Sequence, residues 1–101
     1  MPESDLATFS LEIFSPAVGQ TFEAIFPDGR LPLTLAEARP LGAPLNPEMR
    51  PPFALTFVGK PKLRLPQSIY RFENATLGAM EIFIVQIADD ADGSKFEAVF
   101  N

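Results

Sequence analysis

The sequence predicts a mostly β domain: about six short antiparallel strands in a small barrel or sandwich, with a short helix or turn near the N-terminus. Three observations predict it. Apolar and polar residues alternate in several short runs, the period-two signature of strands. Single glycines at positions 19, 29, 42, 59, 78 and 93 fall between those runs, where turns need them. The third is the apolar stock: ten phenylalanines with many Leu, Ile and Val in 101 residues, enough for the core of one domain spanning 1–101. A fully buried phenylalanine contributes about 1.5–3 kcal/mol, so these rings supply much of the driving force.

Residues 1–8 are polar and expected to be loose. Over residues 9–15 two periods compete. Phe9, Leu11 and Ile13 alternate, whereas Leu11, Phe14 and Val18 follow helical spacing. Pro16 limits any helix, because a residue before proline disfavours the α region. The segment reads as a short helix or turn capping the core, with a sharp turn at Gly19. Thr21 to Phe26 is the first strand. Pro27-Asp28-Gly29-Arg30 follows as a tight turn, since glycine accepts positive φ. Leu31, Leu33 and Leu35 share one face of a second strand running to about Arg39, with Pro32 expected at a strand start or an unpaired edge.

Residues 40–52 carry prolines at 40, 44, 47, 51 and 52 and form a proline-rich loop, long for a compact domain. Phe53 to Val58 is the third strand, Gly59 to Pro66 a basic linker, and Ser68 to Glu73 the fourth strand, with Tyr70 and Phe72 on one face. Asn74 to Gly78 turns the chain. Ala79 to Ala88 is the most regular strand, and Lys95 to Phe100 returns after the turn from Asp89 to Ser94. Counting back from that turn pairs Ala88 with Lys95, Ile87 with Phe96, Gln86 with Glu97 and Val85 with Ala98. This register sets Phe83, Val85 and Ile87 beside Phe96, Ala98 and Phe100 as the core face. The reverse face then carries Met80, Ile82, Ile84 and Val99, too apolar for a face left in water.

Composition narrows the function. The chain has no cysteine and no histidine, so disulfides, thiolate metal sites and the commonest general base are absent. A net charge of −5 disfavours nonspecific binding to nucleic acid or anionic membranes. No apolar run is long enough to span a bilayer, and the acidic N-terminus lacks signal-peptide features, so a soluble cytoplasmic protein is expected.

Candidate chemistry is thin. Asp89, Asp90 and Asp92 with Gly93 could wrap a hard cation, but the bidentate glutamate of a calcium loop is missing and a solvated hairpin turn explains them; no metal is expected. Lys60, Lys62 and Arg64, with Arg50 and Arg71, could bind phosphate, yet so few charges read better as protection of a strand edge. Glu23, Glu73, Glu81 and Glu97 are the carboxylates that could pair for acid–base work, and surface placement is expected for each. No serine sits in a nucleophile elbow, and without histidine the usual triad is impossible. Tyr70, the one phenol, reads as a rim aromatic whose hydroxyl reaches solvent or a carbonyl.

The runs Pro52-Phe53-Ala54-Leu55-Thr56-Phe57, Leu65-Pro66-Gln67-Ser68-Ile69-Tyr70-Arg71-Phe72, Leu77-Gly78, Glu81-Ile82-Phe83-Ile84-Val85, Asp92-Gly93 and Phe96-Glu97-Ala98-Val99-Phe100-Asn101, with Val18-Gly19-Gln20-Thr21-Phe22 near the start, carry a resemblance. Together they are similar to a bacterial domain-of-unknown-function family, the one numbered six-nine-one-six. The shared residues are turn and core positions and speak to fold. The resemblance implies a small all-β domain and a link to phage-tail-like proteins, hence a structural or assembly partner.

The expected function is therefore a non-catalytic protein-binding or assembly module. Its partner is another protein or a second copy, with no cofactor, nucleic acid or membrane. The expected contact surface is Met80, Ile82, Ile84 and Val99 with Pro44, Pro47 and Met49 of the proline-rich loop. A small-molecule-binding barrel lined by phenylalanines, or an enzyme with a carboxylate or lysine site, are the alternatives.

Overall fold

A computed structural model describes residues 10–43 and 51–100. A one-turn helix α1 (Leu11–Phe14) runs into a 3-10 turn (Ser15–Ala17). Six strands follow: β1 (Thr21–Phe26), β2 (Gly29–Pro40), β3 (Phe53–Gly59), β4 (Ser68–Asn74), β5 (Gly78–Asp90) and β6 (Gly93–Phe100). All pairs are antiparallel, and the strands close into a barrel in the order β1-β2-β3-β6-β5-β4. Of the two expected architectures, the barrel is the one adopted. Closure removes the unpaired edges that an open sheet would expose.

The inward side chains fill this barrel. Phe22, Leu33, Leu35, Phe53, Leu55, Phe57, Phe72, Ile82, Ile84 and Phe96 are all fully buried. β3 and β4 lie on opposite walls, yet the rings of Phe57 and Phe72 stack with centroids 5.5 Å apart. Phe22 meets Phe57 edge-on at 5.4 Å, and Phe53 stacks on Phe100 at 4.6 Å. Such offset and edge contacts are the arrangements that aromatic quadrupoles favour.

Each end of the barrel is plugged by a different device. At the end where β1 and β3 begin, α1 drops Phe14 between Phe22, Phe53 and Phe100, at 6.4, 6.0 and 5.9 Å. Ala17 follows it into the core. The 3-10 turn is anchored where the Gly19 amide donates to the Leu35 carbonyl, with φ of +94° at this glycine. Nearby, Asn74 ends β4: its amide donates to Gln20 and the Thr21 carbonyl, and its oxygen accepts from the amides of Thr76 and Leu77.

The other end is closed by topology. A chain leaving β3 must cross the barrel mouth to begin β4 on the opposite wall. The crossing segment, residues 60–67, tucks Leu63 and Leu65 against the core. Backbone polar groups in a crossing need partners, and side chains of β5 and β6 supply them. The amides of Lys62, Leu63 and Leu65 donate to Asp89, Ser94 and Gln86 at 2.8, 3.0 and 3.1 Å, and the Gln86 amide donates to the Leu63 carbonyl at 2.8 Å.

Two expectations about strand ends change. β5 runs to Asp90, so Asp89 and Asp90 belong to the strand and the turn is Ala91-Asp92. Pro32 lies inside β2, paired with Glu23 of β1, but the β2–β3 pairing starts only at Thr34–Val58. At Pro32 the strand therefore has a neighbour on one side alone, the local equivalent of an edge.

The larger correction concerns the β5–β6 hairpin. Ala88 pairs with Lys95 as expected, but a bulge between Gln86 and Ala88 inserts Ile87 as an extra residue. Beyond it Gln86 faces Phe96 and Val85 faces Glu97, one residue out of the expected register. Because side chains alternate, that single residue exchanges the two faces of β5. Met80, Ile82 and Ile84 point into the core with 3%, 1% and 1% exposure, while Phe83 and Ile87 are 45% and 51% exposed. The β5 part of the expected reverse face is thus in the barrel interior and needs no partner to cover it, while Val99 of β6 stays outward.

Two outcomes follow from these placements. Ile82→Ala should cost about 2–5 kcal/mol in denaturant unfolding as a core truncation, whereas Phe83→Ala should stay within about 0.5–1 kcal/mol. Equal losses at both positions would contradict the bulged register. Gly93 has φ of +143°, and a Cβ there would stand 2.6 Å from the Gly59 carbonyl oxygen. Gly93→Ala should therefore lower stability by about 2–4 kcal/mol, read by the fluorescence of Tyr70 during unfolding.

Candidate functional site

The outer wall formed by β4, β5 and β6 carries large apolar side chains that the barrel does not use. Ile69 of β4 and Phe83 of β5 are directly opposite each other and are 60% and 45% exposed. Val99 of β6 is also outward and exposed, and the half-buried Val85 lies two residues along β5 from Phe83. Two residues along β4 and β5 in the other direction, Arg71 faces Glu81. Among the described residues, Arg71 reaches only the Glu73 carboxylate, 3.8 Å away, and Glu81 makes no ion pair.

Of the residues expected to form a contact surface, Met80, Ile82 and Ile84 are therefore in the core and Val99 alone stands on the surface. Pro44, Pro47 and Met49 lie outside the described residues, as does Arg50. Ile69 and Phe83 replace the buried three as the exposed apolar pair. Ile69 could have been found from the alternation that puts Tyr70 and Phe72 on one face. Phe83 was hidden by the bulge.

The basic linker and the acidic strand end border an open cleft of about 460 Å³, lined by Pro61, Lys62, Arg64, Asp89, Asp90 and Ala91. Its carboxylates already have partners. Asp89 accepts from the Lys62 amide and the Ser94 hydroxyl, and its second oxygen is 3.3 Å from Arg64. Asp90 accepts from the Asp92 amide and lies 3.8 Å from the Lys95 ammonium. Among the described residues, no three Asp or Glu side chains gather in a cluster able to hold a metal ion. Asp89 is a structural acceptor that holds the crossing segment, and Arg64 shields its outer oxygen.

Two of the four weighed carboxylates do meet. Glu23 and Glu73 are cross-strand neighbours, and the guanidinium of Arg30 bridges them at 3.0 and 2.9 Å. The hydrogen bond to Glu23 and the charge of Glu73 raise the pKa of Arg30 above its ordinary value. The cation offsets the repulsion of two like charges set opposite each other. Glu97 is held separately, 2.8 Å from Arg39, which also reaches Thr56. Tyr70 behaves as a rim aromatic: its hydroxyl donates to the Pro66 carbonyl at 2.7 Å and its ring meets Phe26 edge-on. Loss of hydration pushes its pKa above 10.0.

No helix among the described residues is long and apolar enough to cross a membrane. No curated protein and no solved structure matches the chain. A family match, by contrast, covers residues 9–100, from two residues before α1 to the end of β6. The chain accordingly belongs to the family described as domain of unknown function (DUF6916).

Proposed function

We propose that this domain is a non-catalytic module that binds another protein through the outer wall of β4, β5 and β6. The observation that carries the reading is the Ile69–Phe83 pair, exposed on a barrel whose interior is already packed with rings. Folding does not need these two side chains in water, and covering a phenylalanine and an isoleucine releases about 1.5–3 kcal/mol each at full burial. Aromatic anchors with aliphatic neighbours are the usual centre of a protein contact. Val85 and Val99 extend the patch, and Arg71 and Glu81 give it a polar border.

The mode of binding follows from closure. A closed barrel offers no full-length strand edge for a partner to extend, and the one-sided stretch of β2 carries Pro32, so recognition runs through side chains on the wall. A role in assembling phage-tail-like structures in bacteria, which the family resemblance implies, would use the same wall. The cysteine-free, acidic chain suits the cytoplasm.

The test is a photo-cross-linking amino acid placed at Phe83 in the native host. A discrete adduct is expected, and it should be lost when Ile69 and Val99 are both changed to serine. The same probe at Glu12 is the control. If Phe83 captures no more than Glu12 does, the wall is not a contact surface and the reading fails.

A further inference from the structure

We infer that the partner on this wall is a second copy of the chain, related by a two-fold axis running parallel to the strands between β4 and β5. The inference rests on the reading of the wall as a contact surface and adds the identity of its occupant. A two-fold interface requires that residue i meet residue j while j meets i. The wall presents two cross-strand pairs of that kind, one above the other on the same two strands: Ile69 with Phe83, and Arg71 with Glu81.

An axis between the strands lays β4 of one copy over β5 of the other. Ile69 then meets the second copy's Phe83, apolar on apolar, and Arg71 meets its Glu81, cation on carboxylate. Each contact occurs twice. The strands of the two walls run along the axis, which is the aligned arrangement in which twisted sheets pack face to face.

The charges argue for this occupant. Glu81 faces Arg71 across the strands but makes no ion pair among the described residues, and the one ion pair of Arg71 is 3.8 Å long. Glu81 is thus open to a cation from outside, and Arg71 can exchange a long contact for a shorter one. The other strand-borne cations are differently placed. Arg30 is held by Glu23 and Glu73, Arg39 by Glu97, and Lys95 lies beside Asp90. An apolar cross-strand pair and a loosely held pair of opposite charges thus share β4 and β5, and together they complement themselves.

Sedimentation velocity on the purified full chain tests the inference. A concentration-dependent dimer is expected, and Phe83→Glu should run as a monomer while still unfolding cooperatively. Arg71→Glu alone and Glu81→Arg alone should each weaken association by about tenfold or more, since each sets like charges face to face. Mixing these two single variants should restore a heterodimer, because each then meets its complement in both contacts. Repulsion within one chain would not be relieved by mixing, so the mixture separates an interface effect from a folding defect.

A wild-type chain that stays monomeric at every attainable concentration overturns the inference. So does a dimer indifferent to Phe83→Glu, or a mixture that remains monomeric. If the purified chain is monomeric while the Phe83 probe in cells captures a different protein, the second copy is excluded and the contact wall stands. If the probe captures nothing, both fall.

Discussion

Phe57 and Phe72 come from opposite walls of the barrel and stack at 5.5 Å, and this contact governs the rest of the molecule. Two rings span the interior, so every inward position must fit around them at the density of a packed solid. The small residues Ala24 and Ala98 are buried among them, and phenylalanine, leucine and isoleucine fill the rest. A barrel this narrow has two mouths and little depth, so both ends need covering. The helix that carries Phe14 covers one, and the crossing from β3 to β4 covers the other. The strand order makes the second unavoidable, since β3 and β4 cannot be joined without passing over an end.

Much of this was legible in the chain. Six alternating runs marked six strands, and the competing periods at residues 9–15 resolved to a short helix because Phe14, at helical spacing from Leu11, is the ring that reaches the core. Asp28-Gly29 and Asp92-Gly93 marked the two tight hairpins. What could not be read was the bulge at Ile87. Both faces of β5 are apolar: Met80, Ile82 and Ile84 on one, Phe83, Val85 and Ile87 on the other. Hydrophobic patterning therefore gives no preference for which face turns inward, and a hairpin counted from its turn inherits any inserted residue as an error. Gln86 held the missing signal. It looked like a polar partner for Glu97, but its amide is committed at the barrel mouth to the crossing segment.

The exposed apolar wall of β4, β5 and β6 was correspondingly half legible. An apolar surface on β5 and β6 was expected, and of the residues assigned to it Val99 is exposed, whereas the three from β5 face the barrel interior. The Arg30 bridge between Glu23 and Glu73 could not be read, because it depends on register across strands distant in sequence. Glu23 and Glu73, 50 positions apart in the numbering, become neighbours only when β1 closes against β4. Arg30, which binds both, thereby ties the last seam of the barrel to its first hairpin.

The crossing segment is fastened chiefly through its own main chain: its amides donate to Asp89, Ser94 and Gln86, and Leu63 and Leu65 are its only side chains packed on the core. Of the outward side chains of Lys60, Lys62 and Arg64, Arg64 alone reaches a described partner, the Asp89 carboxylate at 3.3 Å. A cover attached by its backbone can change its outer chemistry without loosening. The mouth of this barrel is in that sense a display surface on a fixed frame, rewritable at small cost except at Lys62, whose φ of +70° disfavours β-branched residues.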